Sequence, residues 1–318
     1  MNQFQQQKIS VIAPLDYAIE RVRKILFEPF DISKWFTIGF CAWLAYLGKS
    51  GAGFNFNYGS VPRDAAGEPD LQLVKQFILD HLPLIISLAV ALVVVGIILW
   101  VILTWLSSRG RFMFLHCVAK NIAEIKIPWH KYTGLANSLF LFRISLGLIT
   151  FATALLVLVP AAVIIFTVVR TETTPGTATM VAFIVDIVVV AFVSMAIMLV
   201  RIFTAEFVEP LMFLRNSSCL SAWGEFFRML TARKAAFTLY VLFQIVIGLA
   251  MLVIVLAATC LTCCCAGCIL TIPYIGTVLA LPLLVFRRAY SLYYLRQFGP
   301  AFDVLATDET VYDVPAIQ

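Results

Sequence analysis

Long apolar runs without a charged side chain dominate the chain. Residues 82–106 and 144–169 carry no charge, and residues 180–200 carry only Asp186. A helix needs roughly 20 apolar residues to cross the hydrocarbon core of a bilayer, so each run predicts one membrane span. Residues 235–286 are also uncharged, and as a single helix they would measure about 78 Å. That length predicts two spans joined by a tight turn.

A further span is predicted near the start of the chain. The uncharged run there is shorter, so the predicted span includes additional residues at its outer end. The predicted fold class is all-α, an integral membrane bundle of six transmembrane helices in a single domain. The spans are predicted at about 35–54, 82–106, 144–169, 180–204, 235–259 and 268–286, with an external loop at 49–81 and a cytoplasmic tail at 299–318.

The basic residues give this bundle a predicted orientation. The segments that would face one side hold 19 of the 23 Lys and Arg residues, and only Lys49, Arg63, Lys75 and Arg170 face the other side. Cytoplasmic segments carry an excess of Lys and Arg, so both termini are predicted to be cytoplasmic. The polar N-terminal residues lack the apolar region of a cleavable signal peptide, so the first span is expected to direct insertion. The predicted location is a bacterial inner membrane, crossed several times.

Composition supports the membrane assignment and excludes other classes. Hydrophobic residues make up 62% of the chain, charged residues 13%, and the mean hydropathy is +0.96. A soluble domain has about twice that share of charged residues, so a soluble enzyme is excluded. The net charge of +5 follows from the orientation rule and does not predict nucleic-acid binding.

Amphipathic segments are predicted between the spans on the cytoplasmic side. In residues 14–27, apolar positions share one helical face, while Arg21, Arg23 and Lys24 lie elsewhere. This pattern predicts an interfacial helix on the inner leaflet, and the segments around 111–120 and 211–230 show it too. The three basic residues are candidate contacts for anionic lipid. The simpler alternative is that they only obey the orientation rule.

An internal repeat is suggested by two similar stretches. Residues 141–148 (LFRISLGL) resemble residues 242–249 (LFQIVIGL), and a Met-Phe-Leu triplet at 113–115 corresponds to one at 212–214. Trp129 and Trp223 lie between these markers. The repeat units are predicted at about 82–169 and 180–260, and two crossings in each unit would make the repeat parallel.

A cysteine cluster lies at the predicted outer turn between the last two spans. It contains Cys260, Cys263, Cys264, Cys265 and Cys268. An oxidising compartment favours a disulfide, small apolar packing is an alternative, and thiolate ligation of a metal is a third. The short spacing argues against a zinc ribbon.

Four polar residues in or beside the spans are candidates for an intramembrane site, because such residues are often functional. Arg143 and Gln244 occupy equivalent positions in the two repeat units and could line a shared interior site. Asp186 lies inside a span, where Arg170 could reach it as a structural ion pair or as part of a proton or cation site. A structural role is the alternative for all four.

Catalytic and cofactor motifs are not recognisable in the sequence. Glu206 and Glu209 are three residues apart, which predicts one helical face, but no third metal ligand accompanies them. The three histidines form no H-x-x-x-H or H-E-x-x-H pair, and there is no phosphate-binding glycine loop. We therefore expect a protein that is not an enzyme and that has no cofactor.

The first predicted span and its surroundings carry a family resemblance. The stretch PFDISKWFTIGFCAWLAYLG with a following Gly/Asn-rich loop resembles uncharacterised prokaryotic multi-spanning proteins. The repeated layout is similar to the membrane-anchor domain of glycerophosphodiester phosphodiesterases. The resemblance implies a six-helix membrane domain. It implies no hydrolase activity, because the catalytic domain of those enzymes is not found in this chain.

Two functions of different classes follow from these patterns. The favoured one is a non-enzymatic membrane scaffold that binds anionic lipid of the inner leaflet, a protein partner or a second copy of itself. The alternative is a small transporter or channel for an ion or small solute. The basic cytoplasmic segments favour the first, and the intramembrane polar residues favour the second.

Overall fold

The protein is all-α. The computed structural model describes residues 9–47, 81–171, 176–262 and 265–306, and helices make up 88% of these residues, with no strand among them. The predicted external loop and the last part of the predicted tail lie outside the described residues. The all-α prediction is confirmed.

Twelve α-helices follow one another in the described ranges. They are α1 (Ala13–Leu26), α2 (Ile32–Tyr46), α3 (Leu82–Lys120), α4 (Lys126–Lys131), α5 (Thr133–Thr171), α6 (Thr177–Phe203), α7 (Glu209–Arg215), α8 (Cys219–Ala232), α9 (Lys234–Leu261), α10 (Cys265–Thr271), α11 (Pro273–Leu279) and α12 (Leu281–Arg296). A π-helical turn, Thr204–Val208, joins α6 to α7, and a short 3₁₀ turn, Pro300–Phe302, follows α12.

Four helical segments in the described ranges are long and apolar enough to cross a membrane. They are Ile86–Lys120, Thr133–Val168, Thr177–Arg215 and Lys234–Leu261. At most 6% of the residues in the apolar window of each are buried inside the protein, so these windows are left for lipid. Several long apolar helices of this kind are compatible with a membrane protein.

A fifth span is possible at α11 and α12, which together have the required length but meet at a bend of 62°. The first predicted span, about 35–54, is represented by α2, which has 15 residues and is short for a crossing. Its predicted extension lies outside the described residues. The structure thus gives four or five spans, and the six-span prediction is not confirmed.

The predicted boundaries differ from the structure at the charged end of the bundle. The amphipathic pattern around 111–120 predicts a helix on the membrane surface, but this segment continues helix α3 without a break to Lys120. Burial explains the difference, because Phe112, Leu115 and Val118 are fully buried. A helix face that packs in a core is amphipathic for that reason and not because it meets lipid.

The hydrophobic core lies at the end of the bundle where the basic residues are concentrated. Its buried side chains come from α1, α2, the last turns of α3, the first turns of α5, the π-helical turn with α7, α8, α9, and α12 with the residues that follow it. Aromatic rings fill its centre. The ring centroid of Tyr240 lies 4.8 Å from that of Phe207 and 4.6 Å from that of Tyr294. The far ends of the spanning helices contribute little to this core.

Both termini of the described chain are tied to this core. The backbone N–H of Ser10 donates to the Gln297 side chain at 2.8 Å, and the Gln297 amide donates back to the Ser10 carbonyl at 2.9 Å. The Tyr290 hydroxyl donates to the Val11 carbonyl at 2.9 Å. These bonds hold α1 against α12.

The order of elements supports the predicted repeat without proving it. Asn121 directly follows α3, and Asn216 directly follows α7. Both asparagines adopt the left-handed conformation, with φ of 54° and 49°. Such residues commonly end helices. A short helix carrying Trp129 or Trp223 follows each of them, and then a spanning helix. The parallel repeat stays a prediction.

Candidate functional site: an arginine-lined cavity

A buried carboxylate organises the charged end of the bundle. Glu209, 2% exposed, begins α7. One of its oxygens accepts from Arg111 of α3, and the other accepts from Arg288 of α12 at 3.0 Å. Because removing two charges from water is costly unless they are paired, this three-residue network ties three helices together.

A second buried carboxylate lies in the π-helical turn. Glu206, 5% exposed, accepts from Arg287 at 3.1 Å. The carbonyl of Ala205 accepts from Arg288. A π turn leaves backbone carbonyls displaced from regular helical geometry, which makes this carbonyl available to α12. Glu206 and Glu209 therefore bind different arginines instead of forming a carboxylate pair.

Two further arginines beside this network have only neutral partners among the described residues. Arg201, at the end of α6, donates to the Thr150 hydroxyl at 2.7 Å. Arg143, near the start of α5, donates to the hydroxyls of Ser107 and Ser108 at 3.2 and 3.1 Å. Hydroxyl groups bind a guanidinium without neutralising it, so positive charge accumulates here.

These side chains surround a cavity of about 210 Å³. Its charged lining consists of Arg111, Arg201, Arg287, Arg288, Glu206 and Glu209. Four arginines face two glutamates, which leaves two positive charges uncompensated in the lining. The apolar lining includes Met198 and Ile202 of α6. A cavity with excess guanidinium groups is suited to binding an anion.

The predicted intramembrane candidates are not assembled into one site. Arg143 lies beside the cavity network, whereas Gln244 donates to Tyr240 on its own helix at 2.6 Å. Asp186 lies in α6, and its Oδ2 is buried without a hydrogen-bond partner among the described residues. The side chain of Arg170 lies outside the described part, so its pairing with Asp186 stays a prediction.

The cysteine cluster is only partly visible. Cys260 is exposed near the end of α9, and Cys268 is exposed in α10. Cys263 and Cys264 lie outside the described residues, as does the side chain of Cys265. Disulfide, metal ligation and packing therefore remain open for this cluster. The described ranges contain no group of three His, Cys, Asp or Glu side chains arranged to hold a metal ion.

The three basic residues predicted to meet lipid have different roles. Arg21 is 3% exposed, and it donates to the carbonyls of Val118 and Ala119 at 2.9 and 2.8 Å. It thus caps the end of α3 and holds α1 to it, so it is placed for a structural contact. Arg23 and Lys24 are on the outer side of α1, where Arg23 forms an exposed ion pair with Glu28.

The spacing of Glu206 and Glu209 is recognisable in the sequence, but it does not reveal their arginine partners. Arg201 directly follows an uncharged run, as does Arg287, and Arg111 lies five residues beyond another. In the sequence alone, these arginines indicate only the orientation of the spans. The signal that could have found the site is the recurrence of arginine at the same end of several spans, together with buried carboxylates at that depth.

A family model matches most of the chain. Residues 9–281 match the family of unknown function DUF7544. The chain belongs to this family. The matched range includes Arg111, Arg143, Arg201, Glu206 and Glu209 and ends before Arg287.

The other two comparisons add no relative. No curated protein matches the chain, and no solved structure does. The resemblance to the membrane anchor of glycerophosphodiester phosphodiesterases therefore stays a prediction, while membership in a family of unknown function is established.

Proposed function

We propose that this DUF7544 member is a non-enzymatic membrane scaffold that binds anionic lipid with its basic end, and that this end faces the cytoplasm. The observation that carries the proposal is a pairing of exposed apolar and basic side chains, repeated on three short helices. Amphipathic surfaces with both features are attracted to anionic membrane surfaces.

The three helices show the same pairing. On α1, the exposed Ile19 accompanies Arg23. On and beside α4, the exposed Ile122 and Ile127 accompany Lys126. On α8, the exposed Leu220 and Phe227 accompany Arg228. We call Arg23, Lys126 and Arg228 the surface triad.

The opposite faces of the same helices explain why these side chains point outward. Ala18 and Ile25 of α1 are buried, as are Ala222 and Phe226 of α8. Each helix uses its apolar face for the core, so the exposed Ile, Leu and Phe side chains are additional to what packing requires. A second apolar surface of this kind, next to basic residues, fits the boundary between lipid headgroups and acyl chains.

The surface triad can be tested by charge removal. Purified protein in a mild detergent is melted with phosphatidylglycerol or with phosphatidylcholine of the same chains. A ligand that binds only the folded state raises the melting temperature. We expect phosphatidylglycerol to raise it more, and we expect Arg23→Gln, Lys126→Gln and Arg228→Gln, combined, to reduce the difference by at least half.

The matched control keeps the charges and changes the side chains. Arg23→Lys, Lys126→Arg and Arg228→Lys, combined, should retain the wild-type response. If phosphatidylglycerol and phosphatidylcholine stabilise the wild type equally, or if the neutral variant responds like the wild type, the surface triad does not bind anionic lipid.

A second candidate function, transport of an ion, is favoured by one observation. Asp186 lies within the apolar part of α6, and its Oδ2 is buried without a hydrogen-bond partner in the described part of the protein. Ionisable groups at such positions mark proton and ion pathways in many membrane proteins.

The transport candidate makes a separate prediction. In proteoliposomes with an imposed membrane potential and an internal pH dye, a proton carrier would acidify the lumen faster than empty liposomes, and Asp186→Asn would abolish the difference. If wild type, Asp186→Asn and empty liposomes acidify at the same rate, Asp186 carries no protons.

A further inference from the structure

We propose that the arginine-lined cavity is a specific binding site for one phosphate group. The expected source of this phosphate is a lipid headgroup. This part of the inference rests on the proposed lipid-binding function. The site is distinct from the surface triad, none of whose members lines the cavity. It differs in kind as well, because the members of the surface triad lie on separate helices, whereas the arginines of the cavity converge on one concave space.

Charge is the first argument. Glu209 is bound by two arginines and Glu206 by one, which leaves the Arg201 guanidinium without a carboxylate partner among the described residues. One phosphodiester group carries one negative charge and a phosphomonoester up to two. Either would compensate the excess positive charge of the lining.

Unused donors are the second argument. Arg201 lines the cavity, and its hydrogen-bond partner among the described residues is the Thr150 hydroxyl, which one terminal nitrogen binds. The other N–H groups of this guanidinium can donate to the oxygens of a bound phosphate.

Position is the third argument, and it favours a lipid as the source. Arg201 directly follows the apolar run of α6, and Arg287 directly follows the last apolar run of the chain. Residues at the ends of spans lie at the level of the lipid headgroups. Met198, which is exposed, lines the cavity on the side of α6. A lipid can therefore place its phosphate in the cavity and its acyl chains along this apolar helix.

Native mass spectrometry of the full-length protein in detergent tests the proposal. The protein is incubated with phosphatidylglycerol or with phosphatidylcholine of the same chains. We expect one phosphatidylglycerol molecule to remain bound to each protein chain at concentrations where phosphatidylcholine does not. Arg201→Gln should weaken this binding about tenfold, because it removes charged donors to the phosphate.

Arg215→Gln is the matched control, because Arg215 belongs neither to the cavity lining nor to the surface triad. It removes one exposed arginine at the same end of the molecule but outside the cavity, so the single lipid adduct should remain. Because Arg201 is exposed and has only a hydroxyl partner, Arg201→Gln should leave the melting temperature close to that of the wild type. Its effect on binding can then be separated from unfolding.

A third incubation, with inorganic phosphate, distinguishes the two sources of the phosphate group. Displacement of the lipid only at high phosphate concentration supports a lipid headgroup. Stabilisation by phosphate without any retained lipid supports a soluble phosphate compound in the same cavity. The proposal is overturned if neither ligand binds, or if Arg201→Gln and Arg215→Gln behave alike.

These results do not depend on whether the surface triad binds anionic lipid. If the neutral variant of the surface triad responds to phosphatidylglycerol like the wild type while the single adduct depends on Arg201, the cavity binds phosphate and the surface proposal is wrong. The converse result leaves the surface proposal intact and removes the cavity site.

Discussion

At the scale of single residues, the charged end of the bundle depends on arginines that bind groups on other helices. Arg111 and Arg288 bring α3 and α12 to Glu209, and Arg21 brings α1 to the last carbonyls of α3. Side chains that a hydropathy profile records only as interruptions therefore join the elements of the core. Arg201 differs, because its partner is a neutral hydroxyl.

Glu209→Gln should strongly destabilise the protein. The substitution leaves Arg111 and Arg288 buried without their carboxylate, and breaking a buried ion pair costs about 3 to 5 kcal/mol. Thermal melting in detergent should show a clear decrease in melting temperature.

Glu225→Gln is the control for that variant. Glu225 pairs with Arg215 at 3.1 Å, but both side chains are partly exposed, and such pairs contribute about 0 to 1 kcal/mol. Equal melting temperatures for the two variants would show that the Glu209 network does not hold the core together.

Cys219 should be unreactive in the folded protein. Burial and the nearby Glu209 raise the pKa of the Cys219 thiol to about 12, and only the thiolate reacts with maleimides. The group stays protonated as the pH rises from 7 to 9, so its labelling should not increase over this range.

Single-cysteine variants provide the comparison. A variant that retains only the exposed Cys260 should be labelled in the folded state, while one that retains only Cys219 should be labelled only after denaturation. Equal rates for the two folded variants would contradict the buried position of Cys219.

At the scale of elements, close backbone contact joins the short helix α2 to the spanning helix α3. A Cβ atom added at Gly110 would lie 2.5 Å from the backbone nitrogen of Ala45. The Ser107 hydroxyl donates to the Ala45 carbonyl at 2.8 Å. Glycine is therefore required where the two helices touch, and α2 belongs to the core even though it is short for a crossing.

Gly110→Ala should separate α2 from α3 and cost about 1 to 3 kcal/mol, because backbone atoms cannot move aside as a flexible side chain can. Gly224→Ala is the control, since nothing lies within 4 Å of an added Cβ there. It should be neutral or stabilising by up to about 1 kcal/mol, because alanine favours a helix. Equal melting temperatures would refute the close packing of α2 on α3.

Element positions were largely predictable from the sequence, and side-chain partners were not. Uncharged runs located α3, α5, α6 and α9, because apolar length is a local property. The continuation of α3 to Lys120 depends on burial by distant residues. Arg143 and Gln244 were matched by position, but one binds serines on α3 and the other binds Tyr240 on its own helix.

At the scale of the whole molecule, packing and charge are concentrated at one end. The described core, the arginine-lined cavity and the surface triad all lie there, while the apolar windows of the spanning helices remain exposed. A molecule built in this way has one polar, well-packed end and a set of long apolar helices that are compatible with spanning a membrane.

The predicted orientation can be checked in intact cells. A variant with Cys260 as its only cysteine should react with a membrane-impermeant maleimide from outside. A variant whose only cysteine replaces Arg228 should react only after the membrane is permeabilised. The reverse pattern would place the basic end outside and contradict the orientation.

Native mass spectrometry of the wild type ejected from nanodiscs tests the central claim most directly. The nanodiscs contain equal amounts of phosphatidylglycerol and phosphatidylcholine with the same chains, and the lipids that leave with the protein are counted. The account predicts that phosphatidylglycerol exceeds its share of the nanodisc, with one molecule retained longest as collision energy rises. Co-ejected lipids in the same equal ratio as the nanodisc would contradict the account.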